Sequence, residues 1–173
     1  VARRIFDSLT PGWQQIGAVW LPLPHMLNML PVQVDAWYRN GASGVALSVL
    51  SIGMAAWALA SILLRTTGST VAAITAAALL VANPNVLYLQ STPMTEPLLF
   101  GLSLAAVAAV AHSLAAPDPG SHRRAGLVIT ALVLTRYEGW AVAGTLVSLA
   151  AAVKLARREP APFSLVPFLV VPV

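Results

Sequence analysis

Residues 42–64 form an uninterrupted apolar run with no charged side chain. Its length of about 23 residues is what a helix needs to cross the hydrocarbon core of a bilayer. Backbone polar groups in that core must be satisfied within the segment, so the run reads as a membrane helix. The rest of the chain agrees. Only 9% of its 173 residues are charged and 58% are hydrophobic, whereas an ordinary soluble domain is about 25% charged. That balance excludes a free soluble globule, and disorder as well. There is no cysteine, which removes disulfide frameworks and thiolate metal sites. His25, His112 and His122 have no metal-ligand spacing. The net charge of +4 is carried between apolar runs. This is the pattern of membrane topology, and no nucleic-acid partner is expected.

The apolar pattern predicts an all-α, polytopic membrane helix bundle. A second span is expected at 69–89, kinked or unwound after Asn83 because Pro84 interrupts it. A third is expected at 98–115, followed by a Pro/Gly/Asp loop over 116–124. Beyond it the apolar pattern breaks. Residues 126–135 and 140–153 are apolar, but Arg136-Tyr137-Glu138-Gly139 separates them. Either one long helix carries a charged pair at its middle, or two half-length helices meet at a turn. Basic residues favour the second arrangement. With Arg65, Arg123 and Arg124 on the cytoplasmic side, Lys154, Arg157 and Arg158 return to that side only if the segment is a hairpin. This half-helix hairpin puts Arg136 and Glu138 at membrane depth, lining a cavity.

Residues 1–41 are the least membrane-like and are read as an outer loop, with 42–173 as the bundle. A short amphipathic helix is expected over 1–9. Trp13, Trp20, Trp37 and Tyr38 suit interfacial helices at the headgroup level. The apolar stretch 163–173 is too short to span, so the chain reads as a piece of a larger membrane protein, truncated at both ends.

Few residues are suited to chemistry. Glu96 opens a helix before Pro97, where the helix dipole favours an acid. With Tyr88, Gln90 and Thr92 nearby, it is also placed to orient a hydroxyl or hold a divalent cation. Arg136 is costly inside a bilayer and is expected to be paired, with Glu138 or another helix, or to hold an anion such as a lipid phosphate. His25 follows Pro24 in an aromatic loop. Asp35 is expected to cap the turn after it, and Asp118 to serve a turn. His112 reads as structural.

Four segments in order resemble one family. They are Ala2-Arg3-Arg4-Ile5-Phe6-Asp7 with the following Ser8 to Gly12, and Val19-Trp20-Leu21-Pro22-Leu23-Pro24-His25 with Asp35-Ala36-Trp37-Tyr38-Arg39 after it. Next come Asn83-Pro84-Asn85 running on through Tyr88 and Gln90 to Thr95-Glu96-Pro97, and Leu134-Thr135-Arg136-Tyr137-Glu138-Gly139. Together they resemble the glycosyltransferase C superfamily, specifically bacterial enzymes similar to protein O-mannosyltransferases and lipid A aminoarabinose transferase. In that family the last motif more often has Pro where this chain has Tyr137, and Lys-Pro-Pro-Leu is frequent near the position of His25.

The resemblance implies an inverting sugar transferase of the bacterial inner membrane, fed by a polyprenyl-phosphate sugar, with a periplasmic site. Glu96 would be its second acid and the metal ligand if Mg or Mn takes part. Arg136, His25, Glu138, Tyr88 and Gln90 would bind substrate. The first catalytic acid would lie upstream of Val1, so this stretch alone is expected to be inactive. A transporter or channel module with a buried-charge hairpin is the alternative from another class, and a membrane scaffold the third. Oligomeric state is not legible.

Overall fold

The computed structural model describes residues 1–16, 21–116 and 118–158. Among these residues every regular element is helical. Eight α-helices follow one another: α1 Pro22–Asn28, α2 Asp35–Asn40, α3 Ala42–Thr67, α4 Thr70–Ala82, α5 Pro84–Gln90, α6 Glu96–Ala115, α7 Pro119–Val133 and α8 Glu138–Ala156. Three of them, α3, α6 and α8, are each long and apolar enough to cross a membrane. The pair α4 and α5 is long and apolar enough together for a broken span or a re-entrant loop, and is bent by 65°.

The bend has a local cause. Asn83 precedes a proline and is therefore pushed into extended backbone, with φ −65° and ψ 127°. Its side-chain oxygen accepts a hydrogen bond from the Asn85 amide at 2.9 Å, capping a new helix whose first residue is Pro84. The kink expected after Asn83 is thus a full stop and restart.

α3 and α6 pack closely through small residues. A Cβ on Gly101 would run into the Ser51 carbonyl oxygen, so only glycine permits this approach. Ser51, Ala55 and Ala58 of α3 are buried, as are Ala105 and Ala106 of α6. Small side chains at the contact let membrane helices gain packing that lipid cannot offer. Leu98, Leu102, Ile129, Leu132 and Leu146 carry the core from α6 into α7 and α8.

The expected hairpin is two separate helices, but neither is half-length. α8 has 19 residues and spans about 28 Å at 1.5 Å per residue. α7 starts at Pro119, seven residues before the apolar pattern does. Asp118 explains the early start. Its carboxylate accepts from the Gly120 and Ser121 amides, while the Ser121 hydroxyl lies 3.2 Å from the Asp118 amide, completing a capping box. A well-capped helix runs through His122, Arg123 and Arg124, which the sequence reading assigned to a loop. The break over 134–137 lies beside the start of α6, where Arg136 meets Glu96.

The N-terminal region also departs from expectation. The helix expected over 1–9 is a single 3-10 turn, Ala2–Ile5, with a second at Trp13–Ile16 and a third at Pro31–Gln33. Helices this short do not sustain themselves in water. Asp35 does not cap α2; no side chain does. It pairs instead with Arg3 at 2.6 Å, which also holds Asp7 at 2.9 Å and lies 4.6 Å from the Tyr38 ring centroid. Trp13, Trp37 and Tyr38 are exposed. The expectations for Trp20 and for residues 163–173 fall outside the described residues.

Charge divides the bundle into two unlike ends. At one end Arg3, Arg4, Arg39 and Arg136 balance Asp7, Asp35, Glu96 and Glu138. At the other, Arg65, Arg123, Arg124, Lys154, Arg157 and Arg158 face one described acid, Asp118, whose carboxylate is spent on capping. There Arg65 lies 2.9 Å from His112 and the Arg157 guanidinium donates to the Leu114 carbonyl at 2.7 Å, tying helix ends together. His112 is structural, as expected. This split is the kind of asymmetry by which membrane helices are oriented.

Candidate functional site

The charge-balanced end is built around the break between α7 and α8. A helix leaves its last carbonyls without partners, and a buried break must satisfy them. Here each finds one. The Thr130 carbonyl accepts from the Leu134 amide, and the Ala131 carbonyl from the buried Thr135 hydroxyl at 2.8 Å. The Leu132 carbonyl accepts from the Thr135 amide, and the Val133 carbonyl from the Trp140 indole at 2.8 Å. The Leu134 carbonyl accepts from the Leu23 amide of α1 at 3.0 Å, which docks α1 onto the break. Gly139 lies against the Leu132 backbone, where a Cβ has no room. The break is therefore a fixed turn, and Arg136 projects from it.

Glu96 reaches the same place from α6. The loop before it is pinned to α3, where the Ser48 hydroxyl donates to the Thr92 carbonyl at 2.7 Å and Pro93 packs on Gly44. Thr95 and Glu96 follow, with Pro97 in the first turn of α6.

Arg136 joins the two. Its Nη1 donates to the Glu96 carboxylate and the Thr95 hydroxyl, both at 2.9 Å. Its Nη2 and Nε donate to the two oxygens of Glu138 at 2.7 and 3.2 Å. The pairing expected with Glu138 or with another helix is present in both forms. The hydrogen bond to Glu138, and then the charge of Glu96, raise the Arg136 pKa above its ordinary value against the opposing effect of burial. The cluster holds two carboxylates and one guanidinium and is net negative. A lipid phosphate could take the fork of Arg136 only by displacing a carboxylate, and Glu138, with 58% of its side chain exposed, is the one at the surface.

A cavity of about 310 Å³ opens beside this cluster, within the range of small-ligand pockets. α1 and the residue before it contribute Leu21, Pro24 and His25. The break contributes Thr135, Arg136 and Tyr137, and the helix starts contribute Thr95 and Glu138. Burial holds the His25 imidazole below its ordinary pKa. Sequence reasoning missed Thr95 as a site residue, although it directly precedes Glu96. It also treated Tyr137 only as a departure from a motif. Three expected residues do not line the cavity: Tyr88 and Gln90 lie on α5, Tyr88 being exposed, and Glu96 reaches the site only through Arg136.

Among the described residues no group of three His, Asp or Glu side chains is placed to hold a metal ion. Glu96 already faces a cation, Arg136, which repels a second one. These residues do not fit the expected Mg or Mn, and no step is assigned to a metal.

No family model, curated protein or solved structure matches this chain.

Proposed function

We propose that this bundle belongs to an integral membrane glycosyltransferase of the bacterial inner membrane. It would move a sugar from a polyprenyl-phosphate donor to a lipid, glycan or protein acceptor on the periplasmic face. The observation that carries the proposal is the Arg136 fork, held between Glu96 and Glu138 beside a cavity at the end opposite the basic residues. The order of the four sequence segments supports it.

In this reading the donor phosphate displaces Glu138 and takes the Nε–Nη2 edge of Arg136, a bidentate match for two phosphate oxygens. An acceptor hydroxyl attacks the anomeric carbon. The bond from that carbon to the phosphate oxygen breaks, and its electron pair leaves with the lipid phosphate, whose charge Arg136 receives. The acceptor proton passes to a carboxylate. Glu96, whose carboxylate lies 2.9 Å from Arg136 Nη1, is that base.

The test uses the complete protein in proteoliposomes. Arg136→Ala should raise the donor KM about tenfold or more. Glu96→Gln should lower kcat about a hundredfold with less effect on KM. Wild-type rates in both variants at low donor concentration would overturn these assignments.

A transporter module is the second reading, and the 65° break at Pro84 favours it, since broken spans line transport sites. Flux of a polyprenyl-free solute without any sugar transfer would select it.

A further inference from the structure

We infer that Tyr137 is the stacking wall for the donor's sugar ring, and that the sugar is one without a carboxylate. The inference rests on the transferase reading above. Tyr137 lines the cavity next to Arg136, yet its side chain remains 54% exposed. Its ring is not loose. Trp140 meets it edge to face, with centroids 5.7 Å apart and planes at 64°. Trp140 is itself fixed by the hydrogen bond from its indole to the Val133 carbonyl. The chain therefore spends one aromatic residue on orienting another at a cavity wall.

An aromatic face carries partial negative charge. The C–H face of a sugar ring carries partial positive charge, so the two stack, and a ring already held in place loses little freedom on binding. The neighbourhood explains the choice of sugar. Arg136 cannot neutralise Glu96, Glu138 and an arriving phosphate together. A further carboxylate on the sugar would sit in an uncompensated negative field, whereas hydroxyls can donate to the exposed Glu138 oxygens.

The shared lining also fits. Arg136 and Tyr137 both line the cavity, so a sugar attached to a phosphate on Arg136 enters the space that the ring borders. Glu96 and Thr95 stand on the other side of the guanidinium, leaving that side to the acceptor.

The experiment measures equilibrium binding of three probes to the full-length protein in micelles. They are decaprenyl phosphate, decaprenyl-phosphate glucose and decaprenyl-phosphate glucuronate. Wild type should bind the glucose-bearing probe about tenfold more tightly than the bare phosphate. It should gain nothing from glucuronate. Tyr137→Ala should bind bare phosphate as wild type does, which shows that it is folded, but lose the glucose increment. Tyr137→Phe should restore most of that increment. Arg136→Ala should weaken all three probes alike. If wild type binds none of them, the transferase reading falls and this inference with it. If wild type binds them but Tyr137→Ala keeps the glucose increment, or glucuronate binds as well as glucose, the inference alone is overturned.

Discussion

Arg136 and Glu96 stand 40 positions apart in sequence, and their charged groups meet at 2.9 Å. The contact ties the start of α6 to the break between α7 and α8. Because Glu138 shares the same guanidinium, removing Arg136 leaves two carboxylates facing each other. Arg136→Gln should therefore destabilise the protein more than Glu96→Gln. The double substitution should recover part of the loss, with a coupling of a few tenths to about 1 kcal/mol for a partly exposed pair. Thermal unfolding in micelles measures the cycle, and strictly additive losses would refute the shared role of Arg136.

Glycine tolerance should differ sharply by position. A Cβ on Gly101 meets the Ser51 backbone, and one on Gly139 meets Leu132, whereas Gly53 and Gly144 face open space. Gly101→Val and Gly139→Ala should each cost about 1–3 kcal/mol through overpacking. Gly144→Ala should be neutral or slightly stabilising, since alanine is the better helix former. Equal melting temperatures across the set would contradict the helix contacts described.

Since the chain has no native cysteine, single cysteines report topology cleanly. Ser91 and Arg123 are both exposed and lie at opposite ends of the bundle. Ser91→Cys should react with an impermeant maleimide added outside cells, and Arg123→Cys only after permeabilisation. Equal labelling of both would sink the assignment of the basic end to the cytoplasm.

His25 makes stability depend on pH in a defined direction. Burial holds its pKa below the ordinary 6.5, so the folded protein favours the neutral ring. Between the two values the unfolded chain binds more protons, and stability rises with pH. The contribution is intact above 6.5 and is lost as pH falls toward the folded value. Melting temperature should drop between about pH 7 and about pH 5.5 in wild type and drop less in His25→Gln. Parallel curves would remove His25 from the buried wall of the cavity.

Much of the fold was legible because hydropathy and proline act locally. The run at 42–64, the interruption at Pro84 and the charged gap around Arg136 each needed only neighbouring residues to be read. The early start of α7 was also local. Asp118 followed by Pro119 and Ser121 spells a capping box, although the Pro-Asp-Pro-Gly context reads equally as turn chemistry. What could not be read is what depends on distant partners. Asp35 looks in sequence like a cap, but α2 begins at it, after Val34, and its carboxylate pairs with Arg3, 32 residues earlier. Glu96 and Arg136 could each be flagged as costly charges in a membrane protein. Their shared fork, with Thr95 and Glu138, depends on how three helices end.

The satisfied carbonyls of the α7–α8 break bear on where this protein can live. A carbonyl that already has a donor makes no demand on water or on lipid headgroups. The turn can then sit in headgroups or slightly below them without melting. Membranes differ in thickness by several ångström, and a helical protein adapts by tilting or by drawing the bilayer to itself. The backbone of the break then sets no depth of its own, and it is the charges of Arg136, Glu96 and Glu138 that hold this end at the membrane surface.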